Sequence, residues 1–160
     1  MGKTTIATTA ADPTVAAASS QFLSPIVLGL EALTVNGKQA HWHVRGANFV
    51  GVHEFLDTLV DHAGGWADEA AERIVALGLP IDSRIDKVAA KVSETGAPAG
   101  FAQSDEIIAG VVKDIDAVIA DLDAAIDGLD EIDLTSQDIA IGIKAGLEKD
   151  RWFLVAHVAE

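Results

Sequence analysis

Apolar residues recur at helical spacing in four long segments of the chain. Ser24 followed by Pro25 is typical of a helix start, because a hydroxyl can cap the first turn and proline fits the first position. The periodic segment after it runs to about Arg45, and a second one covers residues 49–77 before Gly78 stops it. The pattern therefore predicts two long helices joined by a tight turn.

The second half of the chain repeats this organisation after a long connection. Residues 79–103 separate the second and third periodic segments, which is far longer than usual for bundle helices, and residues 83–91 within them predict a short helix. Ser104 introduces the third long helix, whereas Thr135 with Asp138 opens the fourth. With no convincing strand, the fold class is all-α: a ferritin-like four-helix bundle whose long crossover contains a short helix.

The first twenty residues differ from the rest. Residues 1–20 are rich in alanine and threonine and hold one lysine, Lys3, so they predict a flexible tail ahead of a bundle domain at 21–160. They lack the apolar segment of a signal peptide, and no uninterrupted apolar run of membrane-spanning length follows. We therefore expect a cytoplasmic protein.

Composition limits the chemistry of any site. The chain has 160 residues, 49% of them hydrophobic, and no cysteine, so a bound metal has to be held by histidine and carboxylate groups. Such ligands suit iron, manganese or zinc. The formal charge of −14, from 25 acidic and 11 basic residues, attracts cations and disfavours nucleic acid.

Four candidate ligands share one face of the second helix. His53, Asp57, Asp68 and Glu72 fall at roughly 0°, 40°, 60° and 100° if each residue turns by about 100°. A solvated polar face with one incidental histidine is the alternative interpretation. His53 and Glu72 would lie roughly 28 Å apart along the axis, so one helix cannot close them around one metal.

Two copies of this helix could complete the site. If they pack antiparallel about a two-fold axis near residues 62 and 63, His53 and Asp57 of one chain come level with Asp68 and Glu72 of the other. Beside that axis stand Gly64 and Gly65, which would permit close backbone approach; a local kink is the alternative.

His41 adds a fifth candidate from the first helix. His41 and His53 each stand six residues from the turn centre, so they should lie at one height on adjacent helices. No histidine has a glutamate three residues before it, which disfavours a di-iron site inside each bundle.

These residues resemble the Dps family, the DNA-binding proteins from starved cells. The resemblance lies in KQAHWHVRGANFVGVHEFLD at 38–57, DEAAERIVALG at 68–78 and TSQDIAIGIKAGLEKDRWF at 135–153. It implies a ferroxidase site of one or two iron ions shared by two subunits, with the family's ligands matched at His41, His53, Asp57, Asp68 and Glu72. It also implies a hollow dodecamer that stores ferric mineral, and oxidation of Fe(II) with hydrogen peroxide in preference to oxygen.

Further roles follow from the same resemblance. Trp42, next to His41, would pack the site or quench stray oxidising equivalents. Acidic residues that would line a three-fold pore for cations are Asp127, Asp130, Glu131, Asp133 and Asp138. A solvated acidic surface is the alternative interpretation.

The chain also departs from the family. Family members that coat DNA typically use a lysine-rich tail, which is missing here, so direct DNA binding is doubtful. His43 should point about 100° away from His41, His62 would line the two-fold contact, and His157 would lie at the surface or in the core.

Two other functions compete with iron oxidation and storage. One is DNA compaction, which the acidic charge and the poor tail oppose. The other is metal-assisted hydrolysis, because a His/carboxylate metal site can also activate water. No serine or cysteine nucleophile supports the hydrolase.

Overall fold

The computed structural model describes residues 7, 9 and 11–159. Its elements are α1 (Pro13–His43), β1 (Val44–Arg45), α2 (Phe49–Ala76), α3 (Ile85–Lys91), β2 (Ala102–Gln103), α4 (Ser104–Leu129) and α5 (Leu134–Ala156). The four long helices form the bundle, and the short α3 lies in the crossover between α2 and α4. The predicted all-α bundle with one long crossover is confirmed.

Helix α1 begins well before the predicted start. The Asp12 carboxylate accepts hydrogen bonds from the backbone N–H groups of Thr14 and Val15, at 2.8 and 3.3 Å, and Pro13 takes the first helical position. Pro25 lies inside the helix. The predicted boundary between tail and domain at residues 20 and 21 is therefore wrong, because residues 13–20 are helical. Residues 1–6, 8 and 10 of the predicted tail lie outside the described part of the chain.

The core explains why α1 is so apolar. By length and composition alone this helix passes a test for membrane-spanning helices, a test that the core helix of a bundle also passes. Its large apolar side chains instead pack against those of α2, α4 and α5, and burial of this kind is the main favourable term in folding. Fully buried members of this core include Leu23, Ile26, Leu30, Leu56, Leu59, Ile74, Ile107, Ile115, Leu122 and Ile143.

The last part of the crossover is fastened to the bundle at two points. Strands β1 and β2 pair in parallel, with Val44 opposite Ala102, and this pairing was not predicted. Earlier in the crossover, the Thr95 hydroxyl and the Gly96 N–H donate hydrogen bonds to Asp114 of α4, at 2.5 and 2.7 Å. These contacts return the chain along the bundle and hold the end of α1 beside the start of α4.

The α4–α5 turn is organised by a buried carboxylate. Asp133 caps α5 and accepts hydrogen bonds from the hydroxyls of Ser19 and Ser136, at 2.9 and 2.5 Å, and from the Arg73 guanidinium at 2.9 Å. Burial alone would raise the pKa of Asp133, but the hydrogen bonds from Ser136, Arg73 and Ser19 outweigh it and hold the pKa far below its usual range. Helix α5 thus begins at Leu134, one residue before the predicted Thr135.

Candidate metal centre

The end of α1 and the start of α2 bring two histidines together. His41 is 8% exposed, and its ring stacks on that of His53 with centroids 3.7 Å apart and planes inclined by 22°. The tight turn at residues 46–48 makes this possible, since Gly46 and Asn48 both adopt positive φ, at 92° and 58°. The two imidazoles stand at the same height, as their equal distances from the turn predict.

Hydrogen bonds between the two helices select one form of each imidazole. Nδ1 of His41 lies 2.7 Å from the carbonyl oxygen of His53, and Nδ1 of His53 lies 2.9 Å from the carbonyl oxygen of His41. A carbonyl oxygen can only accept, so each Nδ1 carries the proton and donates it. In the neutral form of each ring, Nε2 then keeps the free lone pair, which is the arrangement that metal-ligating histidines have.

Asp57 lies beside this pair, one turn farther along α2. Its Oδ1 atom is 3.4 Å from Nδ1 of His41, and it forms an ion pair with Lys38 of α1. The hydrogen bond from Lys38 lowers the pKa of Asp57, and the nearby His41 contributes to the same shift. Asp57 is thus an anion at neutral pH whose present partner is an ammonium group.

Sequence analysis missed Lys38, although a signal was present. Lys38 stands three residues before His41, which places both on one face of α1. The side chains of Lys38 and Asp57 are 38% and 46% exposed, so their ion pair is weak and a metal cation can compete for the carboxylate.

The other two candidate ligands lie farther along α2. Asp68 and Glu72 are exposed on this unbroken helix, which keeps His53 and Glu72 roughly 28 Å apart. Within residues 11–159 of one chain, no three histidine or acidic side chains converge on a point where a metal ion could be held. One chain therefore presents two separate groups of candidate ligands.

The paired glycines have no role inside the chain. A Cβ atom on Gly65 would meet nothing within 4 Å, and one on Gly64 would meet only the Thr34 side chain, at an ordinary 3.8 Å. Helix α2 continues unbroken through both. Close approach of a second copy at this point remains a prediction.

An exposed apolar strip runs along α1, the helix that carries His41. Trp42 is 63% exposed and Val35 67% exposed, and both line a shallow groove with Val60 of α2. The Trp42 ring is thus left at the surface of the single chain, close in sequence to His41.

The remaining histidines have other partners. His43 points away from His41 as predicted: its Nδ1 lies 2.7 Å from the Gln39 carbonyl oxygen, and its ring packs on Phe101. His62 donates to the buried carboxylate of Asp150 of α5, at 2.8 Å, and its side chain stays 46% exposed. Its place at the two-fold contact stays a prediction.

The predicted pore residues separate into two groups. Asp127, Asp130, Glu131 and Asp138 are exposed around the α4–α5 turn. Asp133 is 9% exposed and engaged as a helix cap and ion-pair partner, so it differs from the other four, and its place in the pore lining stays a prediction.

Comparison with known proteins gives consistent matches. The family model described as the ferritin-like domain matches residues 31–160 of this chain. The chain is 36% identical over 130 residues to the DNA protection during starvation protein of Mycolicibacterium smegmatis, covering 76% of this chain and 66% of that protein. It is 32% identical over 124 residues to the protein of the same name from Agrobacterium fabrum, covering 77% and 76%.

Solved structures extend the likeness over nearly the whole chain. The structure of Dps from Microbacterium arborescens in the high iron form is 64% identical, with a TM-score of 0.92 over 95% of this chain and 99% of that one. Dps from Mycobacterium smegmatis is 30% identical, with a TM-score of 0.88 over 100% and 90%.

Proposed function

Since the chain belongs to the Dps family of ferritin-like proteins, we propose that it is a miniferritin that oxidises Fe(II) at a site shared by two subunits. It uses hydrogen peroxide as the oxidant and stores the ferric product as mineral inside a hollow dodecamer in the cytoplasm. The observation that carries this proposal is the His41–His53 pair: both Nδ1 atoms donate to backbone carbonyl groups, which leaves Nε2 of each ring for a metal, and Asp57 Oδ1 lies 3.4 Å from the Nδ1 atom of His41.

The proposed site combines the two separated groups of ligands. His41, His53 and Asp57 of one subunit face Asp68 and Glu72 of the other, around one or two iron ions. The spacing along α2 supports this pairing, because an antiparallel copy of the helix brings the second group level with the first. The open space beside Gly65 and the exposed Trp42 ring are both suited to contact with a second copy. Trp42 would pack against the partner or reduce stray oxidising equivalents.

The ligand set suits the chemistry. Carboxylate oxygens are hard ligands that stabilise Fe(III) over Fe(II), and imidazole also suits iron. Two Fe(II) ions together supply the two electrons that reduce one hydrogen peroxide, with two protons, to two water molecules. Because both electrons are transferred to the same hydrogen peroxide, no hydroxyl radical is released, and nearby molecules are protected from oxidation.

Cations would reach the shell interior past the acidic turn. The exposed Asp127, Asp130, Glu131 and Asp138 give this end of the bundle a negative potential that raises the local concentration of Fe(II). Their place around a three-fold pore is part of the proposal.

Crystals of the assembled protein soaked with Fe(II) without oxygen test the site directly. We expect metal between two copies of α2, within coordination distance of the His41 and His53 Nε2 atoms. In solution, two Fe(II) should be consumed per hydrogen peroxide by the wild-type protein. The same ratio is expected for the control variant Asp105→Asn, which removes an exposed carboxylate in the first turn of α4. Metal inside each bundle, or a two-fold contact without metal, would contradict the proposal.

DNA binding is a second candidate because the curated relatives are named for DNA protection. The formal charge of −14 opposes it, since repulsion from the phosphate backbone has to be overcome. We expect no retardation of duplex DNA in a low-salt gel shift, the condition that most favours electrostatic binding. Retarded DNA at modest protein concentration would show that this expectation is wrong.

A further inference from the structure

We propose that Phe49 is a positioning residue for His53: its ring confines the imidazole so that Nε2 keeps its direction toward the iron. The inference deepens the proposed function and rests on it, because it assigns a role in that same site.

Two aromatic rings, those of Phe49 and His41, stack on the ring of His53. Phe49 is the first residue of α2 and stands one helical turn before His53, so both side chains share a face of the helix. The centroids of these two rings are 5.1 Å apart and their planes are inclined by 29°. The His53 ring also stacks on that of His41, with centroids 3.7 Å apart. His53 is thus restrained by contacts with two rings, one from its own helix and one from α1.

The stacked rings restrain the tilt of the His53 ring, which the hydrogen bonds do not. Rotation of an imidazole about its χ2 bond has a broad energy profile, so the side chain alone does not set the ring direction. The bond from Nδ1 to the His41 carbonyl fixes one atom of the ring, yet the ring can still tilt about that bond. Phe49, 42% exposed, stacks on the His53 ring and opposes this tilt.

The start of α2 is itself held in place. Asn48 has a left-handed φ of 58° and makes no side-chain cap; its Nδ2 instead donates to the His157 carbonyl oxygen at 3.1 Å. The Phe49 N–H donates to the Gly46 carbonyl oxygen at 3.3 Å. Phe49 therefore projects from an anchored turn, and its ring can restrain its neighbour.

Co(II) binding by the assembled protein is the test, because this ion reports ligand geometry in its visible spectrum and is not oxidised in air. We expect Phe49→Leu to weaken Co(II) binding by about twofold to tenfold, the range that loss of one aromatic stacking contact allows, and to change the spectrum. Phe49→Tyr should restore both. Phe101→Leu is the matched control, since Phe101 packs on His43, which is outside the proposed ligand set.

A metal-free measurement separates positioning from assembly. Hydrogen exchange at the imidazole C2 position, followed by mass spectrometry, should become faster at His53 in Phe49→Leu and stay unchanged at His43. Phe101→Leu should do the reverse. This measurement needs neither metal nor an intact shell, so it still tests the positioning role of Phe49 if the variant assembles poorly.

The outcomes distinguish this inference from the function it rests on. If wild-type protein binds no Co(II) at the His41–His53 pair, the proposed function fails. If wild-type protein binds and Phe49→Leu matches it in affinity, spectrum and His53 exchange, the positioning role is overturned. Failure of Phe49→Tyr to restore binding would also overturn it.

Discussion

Mixing two inactive variants is expected to restore about a quarter of the wild-type rate of Fe(II) oxidation. One variant, His53→Ala/Asp57→Asn, lacks the first group of ligands; the other, Asp68→Asn/Glu72→Gln, lacks the second. Each alone should lose at least about 100-fold in rate, since even loss of a group supporting a metal ligand can cost that much. In a mixed dimer about a two-fold axis, both defects fall in one site and the other site is intact.

The arithmetic and its control make this result specific to a shared site. Random co-assembly places both variants in half of the dimers, and each such dimer has one intact site of two, which gives the expected quarter. A mixture of His53→Ala with Asp57→Asn should stay inactive, because every site then lacks a ligand from the same group. An inactive mixture of the two double variants, shown by mass to have co-assembled, would exclude the shared site.

Replacing Asp133 with asparagine should lower stability more than any exposed acidic substitution. Asparagine is nearly isosteric, but it leaves the charge of Arg73 without its partner, and breaking a buried ion pair costs about 3–5 kcal/mol. For a domain of this size, the melting temperature should fall on the order of 10 °C. Thermal unfolding of the metal-free protein measures this melting temperature, and the Asp127→Asn variant, which changes an exposed carboxylate, is the control.

The same substitution should change the response to acid. Because the pKa of Asp133 is lower in the folded chain than in the unfolded one, its contribution to stability is complete above the unfolded pKa of about 4. That contribution is lost as the pH falls from there through the folded pKa. The Asp133→Asn protein should therefore show a shallower loss of stability below about pH 4. Parallel curves for variant and wild type would contradict the assigned role.

Local signals in the sequence were enough to predict how α1, the turn and α2 bring the candidate ligands together. The helical period placed four candidate ligands on one face of α2, and equal spacing from the turn placed His41 level with His53. Both inferences depend only on helix geometry over a few turns. The fold class followed from the long connection, since its length indicates a crossover in the bundle.

Contacts between residues distant in sequence were beyond this approach. The pairing of Val44 with Ala102 is too short to leave a strand pattern, and the role of Asp133 depends on Ser19 and Arg73, which lie on other helices. The sequence analysis placed the start of α1 at Ser24 and Pro25, whereas the helix begins at Pro13 and buries Ala16 and Ser19 in its first turns. The ligand pairing across subunits stays a prediction for the same reason.

The crossed hydrogen bonds of His41 and His53 make the metal affinity of the proposed site depend on the packing of the end of α1 against the start of α2. Each imidazole is suspended from a carbonyl group on the opposite helix, so separating the two helix ends would release both protons from their acceptors at once. If the proposed site binds iron, any mutation or denaturant that loosens this end weakens that binding, and by thermodynamic reciprocity bound iron makes local opening of the same segment less favourable. Amide protection around residues 41–53 would then serve as a gauge of iron loading without any optical signal from the metal.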